Sequence, residues 1–153
     1  KALLETKKRT MKKGPRAIRQ DLKKKGIDKS LQDEVLESFT YEEQLDIAMQ
    51  LAEKEVRAGN RKTPTQVKQK IQDVLMRKGY SFSIVSDVLE RIKLEREEDE
   101  WEEMIAAQGE KIWRKFASKF SGTERNMKVK QALYQKGFPI EVINRFIEEK
   151  EHE

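Results

Sequence analysis

Apolar residues along this chain recur at helical spacing and never in the alternation of a strand, and one arrangement of them returns three times around a glycine. "LKKKGI" at 22–27, "LMRKGY" at 75–80 and "LYQKGF" at 133–138 share a leucine, a lysine and a glycine stop. With Gly26, Gly79 and Gly137 as register, spaced 53 and 58 residues apart, apolar positions coincide on both sides. Four residues before the glycine stand Leu22, Leu75 and Leu133; eight before stand Ile18, Ile71 and Val129. Five after stand Leu31, Ile84 and Val142, nine after Val35, Val88 and Phe146, ten after Leu36, Leu89 and Ile147. Offsets of four and of four to five are helical periods, so each glycine separates two amphipathic helices. A glycine fits there because the residue after a helix end commonly takes the left-handed conformation, and Lys25, Lys78 and Lys136 before it suit the negative end of the helix dipole.

Start signals agree with these stops. "TPTQ" at 63–66 offers Thr63 as N-cap, Pro64 at the first helical position and Gln66 as the reciprocal partner of a capping box, and "GP" at 14–15 is a weaker version. Asp28 and Ser81 are placed to cap the second helix, with Pro139 at the matching position of the third copy. "TYEE" at 40–43 opens a further helix with Leu45, Ala48, Met49 and Ala52 on one stripe. Its counterpart in the second copy is a long helix from about 94 to 119 carrying Trp101, Met104, Ile105, Ile112, Phe116 and Phe120. The pattern predicts an all-α protein, an elongated curved array of tandem three-helix repeats whose units stack to bury their stripes. The expected divisions are 14–60, 61–120 and a two-helix partial repeat at 121–153, with 1–13 as the end of a helix from an upstream unit. The spacing differs from the roughly 33–34 residues of tetratricopeptide and ankyrin arrays.

Composition narrows the function. Of 153 residues 40% are charged and 36% apolar, which describes thin elements with much exposed surface. There is no cysteine, which excludes disulfides and thiolate metal sites and fits a reducing, cytoplasmic setting, and no apolar run is long enough for a membrane span. The only histidine, His152, is next to last; no phosphate-binding glycine loop, nucleophile elbow or metal-ligand spacing is present. The expectation is a protein without catalytic, cofactor-binding or metal-binding residues. Charge is segregated: residues 1–30 hold twelve Lys or Arg against three acids, whereas "EREEDEWEE" at 95–103 holds seven acids against Arg96. The acidic stretch reads as a solvated helix face, or as a partner for the basic first unit in the free protein.

What remains is surface. Arg16, Arg19, Lys23 and Lys24 avoid the Ile18 and Leu22 stripe; Lys62, Lys68, Lys70, Arg77 and Lys78 stand in the second unit, and Arg125, Lys128, Lys130 and Lys136 in the third. Stacked repeats would align them into a basic strip suited to a phosphate backbone or an acidic protein groove. The bland alternative is ordinary lysines keeping helices in solution. In "KIWRKFASKF", 111–120, Ile112, Phe116 and Phe120 share a face and read as core rather than as a base-stacking platform; Trp113 lies beside that stripe, and Trp101 reads as either a core anchor or a partner-facing residue.

One stretch has a family resemblance. "GPRAIRQDLKKKGI", 14–27, resembles the signature of the RecX family of bacterial regulatory proteins, in which a Gly-Pro opening, an Ile, a Leu and a Lys-Gly-Ile stop recur in this order. The resemblance covers nearly the whole chain, and it implies one more unit upstream. It also implies modulation, mostly inhibition, of the RecA recombinase, whose ATP-dependent filament on single-stranded DNA performs strand exchange and triggers the SOS response. Family members are thought to lie in the filament's helical groove, so the implied partner is the RecA filament, with weak DNA binding, no membrane and a monomeric state. The basic strip is a reading of this sequence and is not carried over from the family. The alternatives are a basic helical-repeat protein that binds DNA without a recombinase, and a generic helical adaptor.

Overall fold

The computed structural model describes residues 2–153. A short helix α1 (Ala2–Glu5) runs on as a π-helical stretch (Thr6–Thr10), followed by α2 (Pro15–Lys24), α3 (Lys29–Glu37), α4 (Tyr41–Ala58) and α5 (Pro64–Lys78). Then come α6 (Phe82–Arg91), α7 (Glu98–Ala117), α8 (Gly122–Gln135) and α9 (Ile140–Glu151). No strand occurs among the described residues, so the fold is all-α, as the periodicity predicts. No helix among them is long and apolar enough to cross a membrane.

The chain divides into two compact units, one of residues up to Ala58 with Lys68–Lys93, the other of Gly59–Val67 with Leu94–Glu153. In the first, Ile18, Leu22, Ile71, Leu75, Ile84 and Val88 are at most 4% exposed, which places the predicted stripes of α2, α5 and α6 in the interior. Leu31 departs from the register. It is 47% exposed, and Val35 and Leu36 are half-buried, so α3 is thinly covered where its counterparts α6 and α9 are packed. Asp28 and Ser81 cap α3 and α6 as expected, accepting from the amides of Leu31 at 2.9 Å and Ile84 at 3.3 Å. Thr40 and Glu43 close the reciprocal box at the start of α4.

The start of α2 is built onto the stop of α5. The Gly14 amide donates to the Lys78 carbonyl at 2.7 Å and the Arg16 amide to the Gly79 carbonyl at 3.0 Å. Gly79 has φ +97, a conformation natural to glycine, and a side chain there would also lie 2.7 Å from the Ala17 Cβ. Behind the joint, buried Tyr80 donates its hydroxyl to the Lys12 carbonyl at 2.9 Å.

The second unit repeats the joint with different atoms. Thr63 at the head of α5 donates its hydroxyl to the Lys136 carbonyl, the last lysine before Gly137. The predicted box is closed as well: the Thr63 amide reaches Gln66 at 2.9 Å, and the Gln66 amide reaches Thr63 Oγ1 at 3.2 Å. The core of this unit is Met104, Ile105, Val129, Leu133, Phe138, Val142, Ile143, Phe146 and Ile147, with Trp101, Ile112, Trp113 and Phe116 packed against it. Trp101 meets Phe138 edge-on at 5.8 Å and Trp113 meets Phe146 at 6.5 Å, so both tryptophans are core-packing residues. Phe146 fits because Gly109 leaves room: a Cβ there would lie 2.8 Å from its ring.

Helix α7 starts at Glu98, four residues later than the apolar spacing suggests. The Arg96 guanidinium donates to the Lys62 carbonyl at 2.8 Å and the Gly59 carbonyl at 3.0 Å, which ties residues before α7 to the loop before α5. Glu97 then begins the helix, with Glu100 accepting from its amide at 3.0 Å.

Candidate interaction surfaces

The most basic run of the chain, residues 7–13, is largely paired within the first unit. Lys7 and Lys13 reach Asp21 at 3.1 and 2.8 Å, Lys8 and Arg9 reach Glu43 at 3.1 and 3.3 Å, and Lys12 donates to Gln50 at 2.9 Å. Lys8 is only 2% exposed and also stands over the Phe39 ring. The hydrogen bond from Lys13, reinforced by Lys7, holds the Asp21 carboxyl below its ordinary 3.8; that from Lys8 holds Glu43 below its ordinary 4.5. Most of this positive charge is therefore tied into the unit, with the Arg9 and Lys13 side chains still partly open to solvent.

Free cations lie on α2 and α5. Arg16, Lys23, Lys24, Lys68, Lys70 and Arg77 are exposed, and their side chains make no hydrogen bond or ion pair among the described residues. Helical geometry sets Arg16, Arg19 and Lys23 within about 60° of one another and Lys24 about 80° from Arg16, with Arg19 at the edge of the buried stripe, about 60° from Leu22. Arg19 is engaged, at 2.7 Å from Asp33 and 3.2 Å from Gln32. On α5, Lys70 and Arg77 share a face, whereas Lys68 lies about 160–180° around the helix from them. Lys78 donates to the Met11 carbonyl at 3.0 Å. Arg77 and Lys78 nevertheless meet Lys13 around an open groove of about 390 Å³ floored by Ala17 and Val74. Lys13 is a residue that sequence spacing did not single out, because its place in the groove depends on the α2–α5 joint.

In the second unit the strip is divided. The Arg125 guanidinium lies over the Trp113 ring of α7 at 4.3 Å, and Lys128 Nζ over the ring of Phe120, just after α7, at 4.7 Å, so both cover aromatics. Lys130 is exposed about 140–160° around α8 from them, and Lys136 and Lys62 are exposed at loops. The acidic stretch is partly neutralised within the unit: Arg145 reaches Glu98 at 2.7 Å and Glu102 at 3.6 Å. Those carboxylates hold the Arg145 guanidinium above its ordinary range.

Comparison with known proteins follows the helical units. Residues 42–89 and again 98–147 match the model of the third three-helix domain of RecX, and residues 1–36 match that of its second three-helix domain. These matches begin each unit with its long helix, α4 or α7, one helix earlier than the divisions drawn from the glycine register. The regulatory protein RecX of Bacillus licheniformis is 37% identical over 150 residues, covering 97% of this chain and 56% of the relative. That of Bacillus subtilis is 36% identical over 152 residues, covering 99% and 57%, and that of Enterococcus faecalis is 37% identical over 145 residues, covering 95% and 54%. The chain thus spans about half the length of the curated relatives it matches. No solved structure matches it. With a family model matched twice along its repeats and a signature at its first glycine stop, the chain belongs to the RecX family of regulatory proteins.

Proposed function

We propose that this chain regulates the RecA recombinase by binding its filament on single-stranded DNA, lowering ATP turnover, strand exchange and SOS co-protease activity. It would thereby act in DNA repair by homologous recombination, in the cytoplasm and as a monomer. The observation that carries this reading is the match of all three helical segments to RecX domains. The surface is compatible with it, since the unpaired cations of α2 and α5 face solvent and the Lys13, Arg77 and Lys78 groove suits a phosphate. The protein would do no chemistry of its own. Stronger binding to one filament state than to another shifts polymerisation and ATP turnover by linkage.

The test is a titration of the chain into RecA assembled on single-stranded DNA, reading ATP hydrolysis. Inhibition at well under one chain per RecA protomer supports the reading. Unchanged hydrolysis, with binding to free DNA that weakens steeply with salt, instead supports a DNA-binding protein that acts without a recombinase.

A further inference from the structure

We propose that an open groove on the second unit, floored by Met127, Tyr134 and Ile140, is a docking site for an amphipathic protein helix whose apolar stripe is flanked by carboxylates. Met127 is 67% exposed, Tyr134 61% and Ile140 45%. The first two lie two turns apart on α8, and Ile140 opens α9; together they line a groove of about 630 Å³. The opposite face of α8 carries the fully buried Val129 and Leu133, so the groove residues are not needed to close the core. Apolar side chains left in water without a packing role mark interaction sites when they are contiguous.

Recurrence supports the assignment. Tyr134 and Ile140 stand three residues before and three after Gly137, and the same two positions about Gly79 hold Met76 and Phe82, 38% and 69% exposed. About Gly26 they hold Lys23 and Lys29, so soluble residues fit at these positions. Two copies thus place large apolar side chains in water at matching points of the repeat.

The rim identifies the partner. Lys128 and Lys130 stand on opposite sides of the groove, with Glu124 at one end. Two cations astride an apolar floor complement a helix that presents leucine or phenylalanine at i, i+3/i+4 and i+7 with Glu or Asp on its flanks. Methionine adapts its shape to such a stripe, and an exposed tyrosine is a common anchor of protein interfaces. Single-stranded nucleic acid fits less well, because it needs successive aromatic faces and the floor offers one. The regulatory reading above is needed only to say that a recombinase carries the helix; the groove and its chemistry stand apart from it.

The test uses the chain with its methionine methyl groups isotopically labelled. The probe is an 18-residue helical peptide with a leucine stripe flanked by glutamates. Saturable shifts of the Met127 methyl, with Met104 in the core unmoved, and at least tenfold weaker peptide binding by a Met127→Glu, Tyr134→Ala, Ile140→Ser variant are the expected result. No Met127 shift with the peptide overturns the proposal. So does a Met127 shift produced only by a single-stranded oligonucleotide, or one that follows protein concentration alone and so reports a second copy of this chain. The same variant is then compared with the parent on RecA filaments. Peptide binding without any filament effect of the parent leaves the groove assignment standing and overturns the regulatory reading; filament inhibition with no peptide binding does the reverse.

Discussion

The two units close the same joint, a helix start seated on a lysine-glycine stop, with unlike chemistry around it. The first, with 20 Lys and Arg against 14 Asp and Glu, surrounds its joint with ion pairs such as Lys13–Asp21 and Lys8–Glu43. The second, with 13 against 14, relies on interlocked aromatics: Trp101 on Phe138, Trp113 on Phe146. The difference teaches that positive charge in the sequence has two fates here. Along residues 7–13 much of it is built into the fold, and at Arg16, Lys23, Lys24, Lys68, Lys70 and Arg77 of α2 and α5 it is left in solvent.

Breaking the aromatic side should have the largest effect. Phe146→Ala removes a side chain 7% exposed that Gly109 is shaped to receive, and should cost about 3–5 kcal/mol in denaturant unfolding. The glycine stops should then rank themselves. Gly79→Ala adds a Cβ that meets backbone as well as side chain of Ala17, and Gly137→Ala adds one 2.6 Å from Thr65 Cβ and 3.0 Å from the buried Thr63 hydroxyl; each should cost about 3 kcal/mol. Gly26→Ala, with φ +78 and nothing within 4 Å, should cost only the left-handed strain, about 1 kcal/mol. Equal costs at the three sites, measured by denaturant titration, would mean that backbone conformation alone matters and that seating does not.

The charged side is exposed by pH. Asp21 and Glu43 have pKa values lowered on folding, so the stability they contribute is present above their unfolded values and is lost as pH falls through the folded ones. Thermal stability should therefore fall as pH drops below the ordinary carboxylate values of 4.5 and 3.8, and Asp21→Asn should flatten that fall. The smallest effect on stability is expected at the free cations. Reversal at Lys23, Lys24 and Lys70 together should leave unfolding within about 0.5 kcal/mol of the parent and, on the function proposed above, weaken binding to DNA-bound filaments. The salt dependence of that binding should fall by about one unit of slope for each phosphate contact removed.

The helical register was largely legible in the sequence because glycine stops, Thr63 and Gln66, and Asp28 and Ser81 act locally, within a turn or two of the residues they organise. Leu31 was misread for the opposite reason: its spacing is that of a core residue, but burial depends on what packs over α3. The start of α7 was missed because Glu97 is an uncommon cap hidden among like residues, and because the Arg96 bridge to Gly59 and Lys62 spans the chain. On the candidate surface, sequence spacing identified exposed Arg16, Lys23, Lys70 and Arg77. It did not foresee that Arg125 and Lys128 lie on aromatic rings, or that Lys68 faces away from Lys70, since both follow from how helices turn and pack.

The seated joint also orders events in time. Thr63 finds its partner carbonyl 73 residues downstream, and Lys12 receives the Tyr80 hydroxyl from 68 residues downstream. A chain emerging from the ribosome therefore cannot finish either joint until the next glycine stop has been synthesised, and each helix start waits open for its clasp. Stalled nascent chains ending before Lys78 should accordingly exchange the Gly14 and Arg16 amides freely, while chains extended past α6 should protect them.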